Sequence, residues 1–305
     1  MADIRIGISG WRYAPWRGDF YPKGLTQKNE LHFASRAVNS IEINGSFYAL
    51  QRPERFQEWY EQTPDDFVFS VKGPRFITHV RRLRDIEKPL ANFFASGLFA
   101  LKKKLGPILW QFPATFKFDP ERFEAFLAML PHDTEAALEA AKGCDSRMKG
   151  RSHLEIDRKR PLRHAIEIRN DSFVDPTFVA MLRRHRIALV VADTAGKWPF
   201  CEDVTSDFMY LRLHGAEELY TSGYSEDALN TWALRIREWS KGAQPNDATL
   251  ISDTNARARK SRDVYCYFDN DVKVRAPYDA RRLLERLGLS DSLQTIPGQK
   301  EEKAA

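Results

Sequence analysis

The stretch Tyr210-Leu-Arg-Leu-His-Gly215 alternates two leucines with Arg212 and His214. Strict alternation is the pattern of a β-strand, whose side chains point in turn to opposite faces; one face here is apolar and the other carries a cation and an imidazole. That polar face meets either bulk water or an enclosed cavity, and the neighbouring strands decide which. Seven more runs rich in Ile, Val, Leu and aromatics lie at residues 4–10, 40–47, 67–73, 107–113, 164–170, 188–193 and 263–270, joined to this one at 208–215. Each reads as a buried strand.

Helical patterns separate the runs. Asp119-Pro120 and Asp175-Pro176 each offer an N-cap followed by proline at the first helical position, and Ser225-Glu226-Asp227 is a third start. Residues 89–106 are apolar at helical spacing, basic in the last turn and closed by Gly106, which predicts one helix with a glycine C-cap. Strand and helix thus alternate through eight units, the pattern of an α/β protein. It points to a closed (β/α)8 barrel of TIM type forming a single domain over residues 1–290, with an open doubly wound sheet as the alternative. Residues 132–163 and 241–262 are polar and weakly periodic and read as surface insertions, the first with room for a short helix at 135–142. The tail, 291–305, is expected to be disordered.

Composition is consistent with one large core. Of 305 residues, 43% are hydrophobic and 29% charged. No apolar run approaches the roughly 18 residues of a membrane span. The opening residues enter a strand at once without a signal-peptide pattern, so a soluble, cytoplasmic protein with no membrane partner is expected. The three cysteines, Cys144, Cys201 and Cys266, are odd in number and widely spaced, which suits neither a disulfide framework nor a zinc knuckle. A net charge of +5 from 47 basic and 42 acidic residues permits an anionic partner without specifying nucleic acid.

The polar residues cluster at the strand ends. Glu42 and Asn44, Lys72, Gln111, Glu167 and Arg169, Asp193, Arg212 and His214, and Asp269 with Asn270 all lie toward the C-terminal ends of their runs. In a parallel barrel those ends meet at one mouth, where such enzymes place their chemistry. One reading is a layer of buried ion pairs, such as Glu167 with Arg212. The other is a site, because burying so many charges without need costs several kcal/mol per ion. On that reading Lys72, Arg169 and Arg212 hold a carboxylate or phosphate. His214, Glu167 and Asp193 exchange protons as catalytic groups, and Glu42, Asn44, Gln111, Asp269 and Asn270 contact substrate.

Glu42, Glu167, Asp193, His214 and Asp269 could instead ligate a divalent metal. No HxH or HExxH spacing is present, however, and two arginines would repel a cation, so no cofactor is expected. Residues 10–22 hold five aromatics, and Trp11 and Tyr13 there could stack on a sugar or base, or the set could pack as a lid. The basic runs 81–84, 102–104 and 158–160 read as solvated faces. The chain has no Walker loop, GxGxxG or GxSxG element.

Several spaced motifs are familiar together. They are Gly10-Trp-Arg-Tyr-Ala-Pro-Trp16, Glu42-Ile-Asn-Gly-Ser-Phe-Tyr48, the run 69–79, Leu105-Gly-Pro-Ile-Leu-Trp-Gln-Phe-Pro113, Ala165-Ile-Glu-Ile-Arg169, Tyr210-Leu-Arg-Leu-His-Gly215 and Tyr267-Phe-Asp-Asn270. In this order they resemble the YecE-like proteins, the family called domain of unknown function 72. The resemblance implies a TIM-type barrel and no particular reaction. The chain departs from the family pattern at Asn170-Asp171-Ser172-Phe173, where the family tends to carry His-Pro-Ser-Trp, and at Asp269, usually Asn.

Three functions remain open at this level. The first is an enzyme, a hydrolase or a lyase/isomerase, acting on a phosphorylated or polyhydroxylated small molecule. The second is a nucleic-acid-binding or phosphodiesterase barrel, which the arginine-rich segment 147–163 favours. A barrel that binds a metabolite without turnover is the third. Oligomeric state has no signature.

Overall fold

The structure is a computed structural model that describes residues 2–215, 222–254, 256–271 and 273–299. Eight parallel strands, β1 (Ile4–Ser9), β2 (Ser40–Ile43), β3 (Val68–Lys72), β4 (Leu105–Gln111), β5 (His164–Glu167), β6 (Ala188–Asp193), β7 (Phe208–Leu213) and β8 (Asp263–Phe268), pair in chain order. β8 pairs back onto β1, with Ile6 opposite Cys266, and closes the barrel. Closure excludes the open-sheet alternative. The helices are α1 (Glu30–Ala37), α2 (Gly45–Tyr48), α3 (Pro53–Gln62), α4 (Glu87–Ala95), α5 (Pro120–Met129), α6 (Thr134–Lys142), α7 (Pro176–His185), α8 (Glu226–Ser240) and α9 (Arg275–Leu287).

Strand parity sorts the core into two shells. Ile41, Ile43, Val71, Ile166, Val191, Leu211, Leu213 and Phe268 point outward under the helices. Leu109, Ala165, Val190, Ala192, Tyr210 and Tyr267 fill the lumen. Lumen tyrosines need partners for their hydroxyls in so dry a place. Tyr267 meets Ser40 at 2.8 Å and Tyr210 meets Ser70 at 2.6 Å. One layer higher the lumen residues become charged, and the site begins there.

The capping signals work as expected. Asp119, Asp175 and Ser225 each accept a backbone N–H of the helix they open. The helix predicted over 89–106 does not run through. α4 stops at Ala95, Gly97 takes a left-handed φ of 113°, and two 3-10 turns follow over Leu98–Lys104. A Cβ at Gly97 would lie 2.5 Å from the Pro53 Cα, so the close passage of α3 forces the break. Gly106, expected as a cap, lies inside β4.

The segment 132–163 opens with α6, which Asp133 caps and which buries Ala137 and Ala141 in the outer shell. Segment 241–262 is tied down by Glu202 and Asp203, whose carboxylates accept the N–H groups of Thr249, Ile251 and Ser252. The tail expected to be disordered is docked as far as it is described. Gln294 N–H donates to Arg36 O, the Thr295 hydroxyl to Phe33 O and Gly298 N–H to Phe20 O. Residues 300–305 lie outside the described residues. No helix among the described residues is long and apolar enough to cross a membrane.

Candidate functional site at the barrel mouth

Arg212 is the hub. Its Nε and Nη2 donate to the two oxygens of Glu42 at 3.1 and 2.9 Å, Nη1 to Glu167 at 2.7 Å, and Nη2 also to Asp269 at 2.8 Å and the Ser9 hydroxyl at 3.1 Å. The guanidinium is fully buried, as are both glutamates. Three strands therefore deliver three carboxylates to one cation, a geometry that the planar donor fork of arginine suits and an ammonium would not.

Both glutamates are saturated. Glu42 also accepts the Tyr210 hydroxyl at 2.6 Å and the Ser9 hydroxyl at 2.5 Å. Glu167 also accepts Arg169 Nε at 2.7 Å and Gln111 Nε2 at 3.2 Å. Burial alone would raise the Glu167 pKa, but the Arg169 and Arg212 guanidiniums overcome it and hold the group well below the usual carboxylate range. Asp269 is likewise held low, against burial, by Arg212 and His214. These anions are fixed counter-charges at neutral pH.

Above the hub opens a cavity of about 750 Å³. Among the described residues its charged lining is Arg12, Arg55, Lys72 and Arg169 against Asp269 and Asp271. Lys72 sits 4.3 Å from the Phe47 ring centroid on α2, and the Arg169 guanidinium lies 3.7 Å from the Trp198 ring centroid. Burial, then the Arg212 charge, lowers the Lys72 pKa to about 8. Burial, then Asp269, raises that of Asp271 to about 6. His79 is pushed down to about 4 by burial and the Lys72 charge, so it faces the cavity as a neutral imidazole.

The sequence-predicted residues divide accordingly. Lys72, Arg169, Gln111, Asn44, Trp11, Tyr13 and Asp269 line the cavity. Glu42 and Glu167 brace it from below. Arg212 and His214, expected as anion holder and proton carrier, lie beneath it and are fully buried, with His214 Nδ1 3.1 Å from Asp269. Asp193 and Asn270 are not brought to the mouth. Each is one residue out of phase with its inward neighbour, so Asp193 accepts the Tyr224 hydroxyl at 2.9 Å and Asn270 donates to Ser222 O and Asp279.

The aromatic loop also divides. Trp11 meets Trp59 edge-on at the cavity and Tyr13 donates to Ser9 O, while Trp16, Phe20 and Tyr21 pack on Phe33 and on each other away from it. Asp271, His79, Arg12 and Arg55 were not anticipated. Asp271 follows Asp269 by two residues, which is the one signal that could have found it.

Of the carboxylates weighed as metal ligands, Glu42, Glu167 and Asp269 converge on Arg212 while Asp193 turns to Tyr224, and among the described residues no three His, Cys, Asp or Glu side chains form a ligand group. Four of the seven Lys and Arg residues in the arginine-rich segment 147–163 are paired within the protein. Arg147 pairs with Asp145, Lys159 with Asp133 and Glu135, Arg160 with Asp157, and Arg163 with Asp207 and Asp263. Lys149, Arg151 and Arg158 lie outside these pairs.

Fold and site together define a TIM-type barrel protein with its polar residues gathered at the C-terminal mouth. The chain belongs to the family described as protein of unknown function DUF72, whose model matches residues 5–303. It is similar to UPF0759 protein YecE of Escherichia coli, at 27% identity over 246 residues, covering 79% of this chain and 84% of that one. It is also similar to UPF0759 protein YunF of Bacillus subtilis, at 30% identity over 147 residues, 45% of this chain and 50% of that one. Among solved structures, a DUF72 family protein of Thermotoga maritima superimposes with a TM-score of 0.70 at 24% identity, over 94% of this chain and 99% of that one. That likeness shows the shared barrel.

Proposed function

We propose that this protein is an enzyme that binds a small anionic, polyhydroxylated molecule, such as a phosphorylated sugar, in the barrel mouth and moves a proton on it. Lys72 and Arg169 hold the anion, with Arg55 and Arg12 at the rim. The observation that carries this reading is one cavity lined by four cations that also contains the two groups displaced toward neutrality, Lys72 at about 8 and Asp271 at about 6. Such a pair supplies an acid and a base at working pH. The Arg212 cluster keeps its charges fixed and so preorganises the floor.

Hydrolases, lyases and isomerases all use proton transfer beside an anion clamp. A turnover screen of phosphorylated sugars and phosphodiesters, run on wild type, Lys72→Ala, Arg169→Ala and Asp271→Asn, tests the assignment. Arg169→Ala should raise KM, and Asp271→Asn should lower kcat. Turnover indifferent to all three substitutions would remove the mouth from the chemistry.

A further inference from the structure

At the opposite end of the barrel, the N-terminal ends of β5 to β8 enclose a second cavity of about 400 Å³. Its lining includes Arg163, Arg183, Arg186, Arg257 and Arg259, with Asp207 as the only carboxylate among the described lining residues. Arg163 is answered by Asp207 and Asp263. Arg183 donates to neutral acceptors, Val204 O and the Ser252 hydroxyl. Arg186, Arg257 and Arg259 have no carboxylate within ion-pair distance among the described residues. Behind the wall Arg262 is 2% exposed and its Nε finds no hydrogen-bond partner among those residues. The surplus positive charge also depresses the His132 pKa, after burial, through Arg186.

Arg186, Arg257 and Arg259 are solvent-exposed, and two features distinguish the cluster from an ordinary basic face. It surrounds a concavity of small-molecule size. It also keeps an arginine where the backbone favours glycine, since Arg186 caps α7 at a left-handed φ of 54°. Four guanidiniums lacking a carboxylate offer charge-assisted donors that up to about four negative charges would match. One phosphate group supplies roughly 1.5 to 2 at neutral pH, so two such groups match the site.

We propose that this cleft binds a small molecule carrying two phosphate groups, at a site separate from the mouth. Nucleic acid fits less well, because an enclosed cleft of about 400 Å³ suits a small molecule rather than an extended polyanion.

The test is isothermal titration calorimetry with inorganic pyrophosphate at low salt, in a Lys72→Ala/Arg169→Ala background so that the mouth's own behaviour leaves the result unaffected. Adding Arg186→Gly and Arg257→Ala should weaken pyrophosphate binding at least about tenfold, by removing two charge-assisted contacts. Because glycine relieves the left-handed cap, Tm should hold or rise, which separates lost binding from lost folding. The proposal is overturned if pyrophosphate gives no binding heat in the background protein or binds it equally after those changes. It is also overturned if single-stranded oligonucleotides compete with an affinity that grows with their length.

Discussion

Replacing Arg212 by methionine removes the cation and leaves an apolar side chain of similar reach. Glu42 would then sit fully buried without its two guanidinium bonds, and Glu167 would keep Arg169 as its one guanidinium donor, with Asp269 beside them. Breaking a buried ion pair by deleting one partner costs about 3–5 kcal/mol. Here one guanidinium serves three carboxylates, which places the loss at about 5 kcal/mol, comparable with the entire stability of a marginal domain. The pH dependence gives a second handle. In the wild type Glu167 and Asp269 titrate below their unfolded values, so their contribution is present above the unfolded pKa near 4 and is lost as pH falls through the folded values. In Arg212→Met the part of that contribution supplied by Arg212 is lost, and burial then favours protonation of the acids. The deficit relative to wild type is therefore largest near pH 7–8 and shrinks as pH falls toward about 5. Urea unfolding followed by far-UV circular dichroism across that range measures it. A loss below about 1 kcal/mol, or one independent of pH, would refute the hub.

Lys72→Met should stabilise the fold while abolishing ligand binding. The lysine titrates at about 8 in the folded state, so keeping it charged costs stability below that pH. The variant should gain about 1–3 kcal/mol at pH 7, a gain that fades as pH approaches 10.4, and urea midpoints at the two pH values decide it. Asp271, raised to about 6, should give ligand binding or turnover an inflection near pH 6. Asp271→Asn should flatten that limb, and an unchanged profile would assign the inflection elsewhere. Gly7→Ala would place a Cβ 1.8 Å from the Ser40 carbonyl oxygen, against backbone that cannot retreat without parting β1 from β2. Calorimetry should show a loss of about 3 kcal/mol or more.

The barrel was legible because each of its strands is a short apolar run ending in polar residues, and because Asp-Pro and Ser-Glu-Asp mark helix starts by chemistry that acts within one turn. The break at Gly97 was not, since apolar spacing continues across it and the cause is Pro53, distant in sequence. Within the site, Lys72, Arg169 and Gln111 were found from position alone. Asp193 and Asn270 lie near strand ends but on the outward parity, since Ala192 and Asp269 are the inward members, and parity decides which side chains reach the lumen. The ion-pair reading of Glu167 with Arg212 was available from the sequence. Its completeness was not, because it depends on Glu42 and Asp269 reaching the same guanidinium from other strands. Arg12 and Asp271 come from loops, His79 from the helical turn Phe76–Val80 and Arg55 from the exposed side of α3, none of which the strand period covers.

On the proposed function, the mouth holds an anion through Lys72 and Arg169 while Arg212 stays engaged by its carboxylates. A crystal structure of the protein grown in selenate, with the anion located by selenium anomalous scattering, tests it most directly. A peak is expected within hydrogen-bond distance of Lys72 Nζ and the Arg169 guanidinium, with the Arg212 contacts to Glu42, Glu167 and Asp269 intact. Selenate bound directly to Arg212 with those contacts broken, or a mouth with no peak while other basic sites are filled, would contradict it.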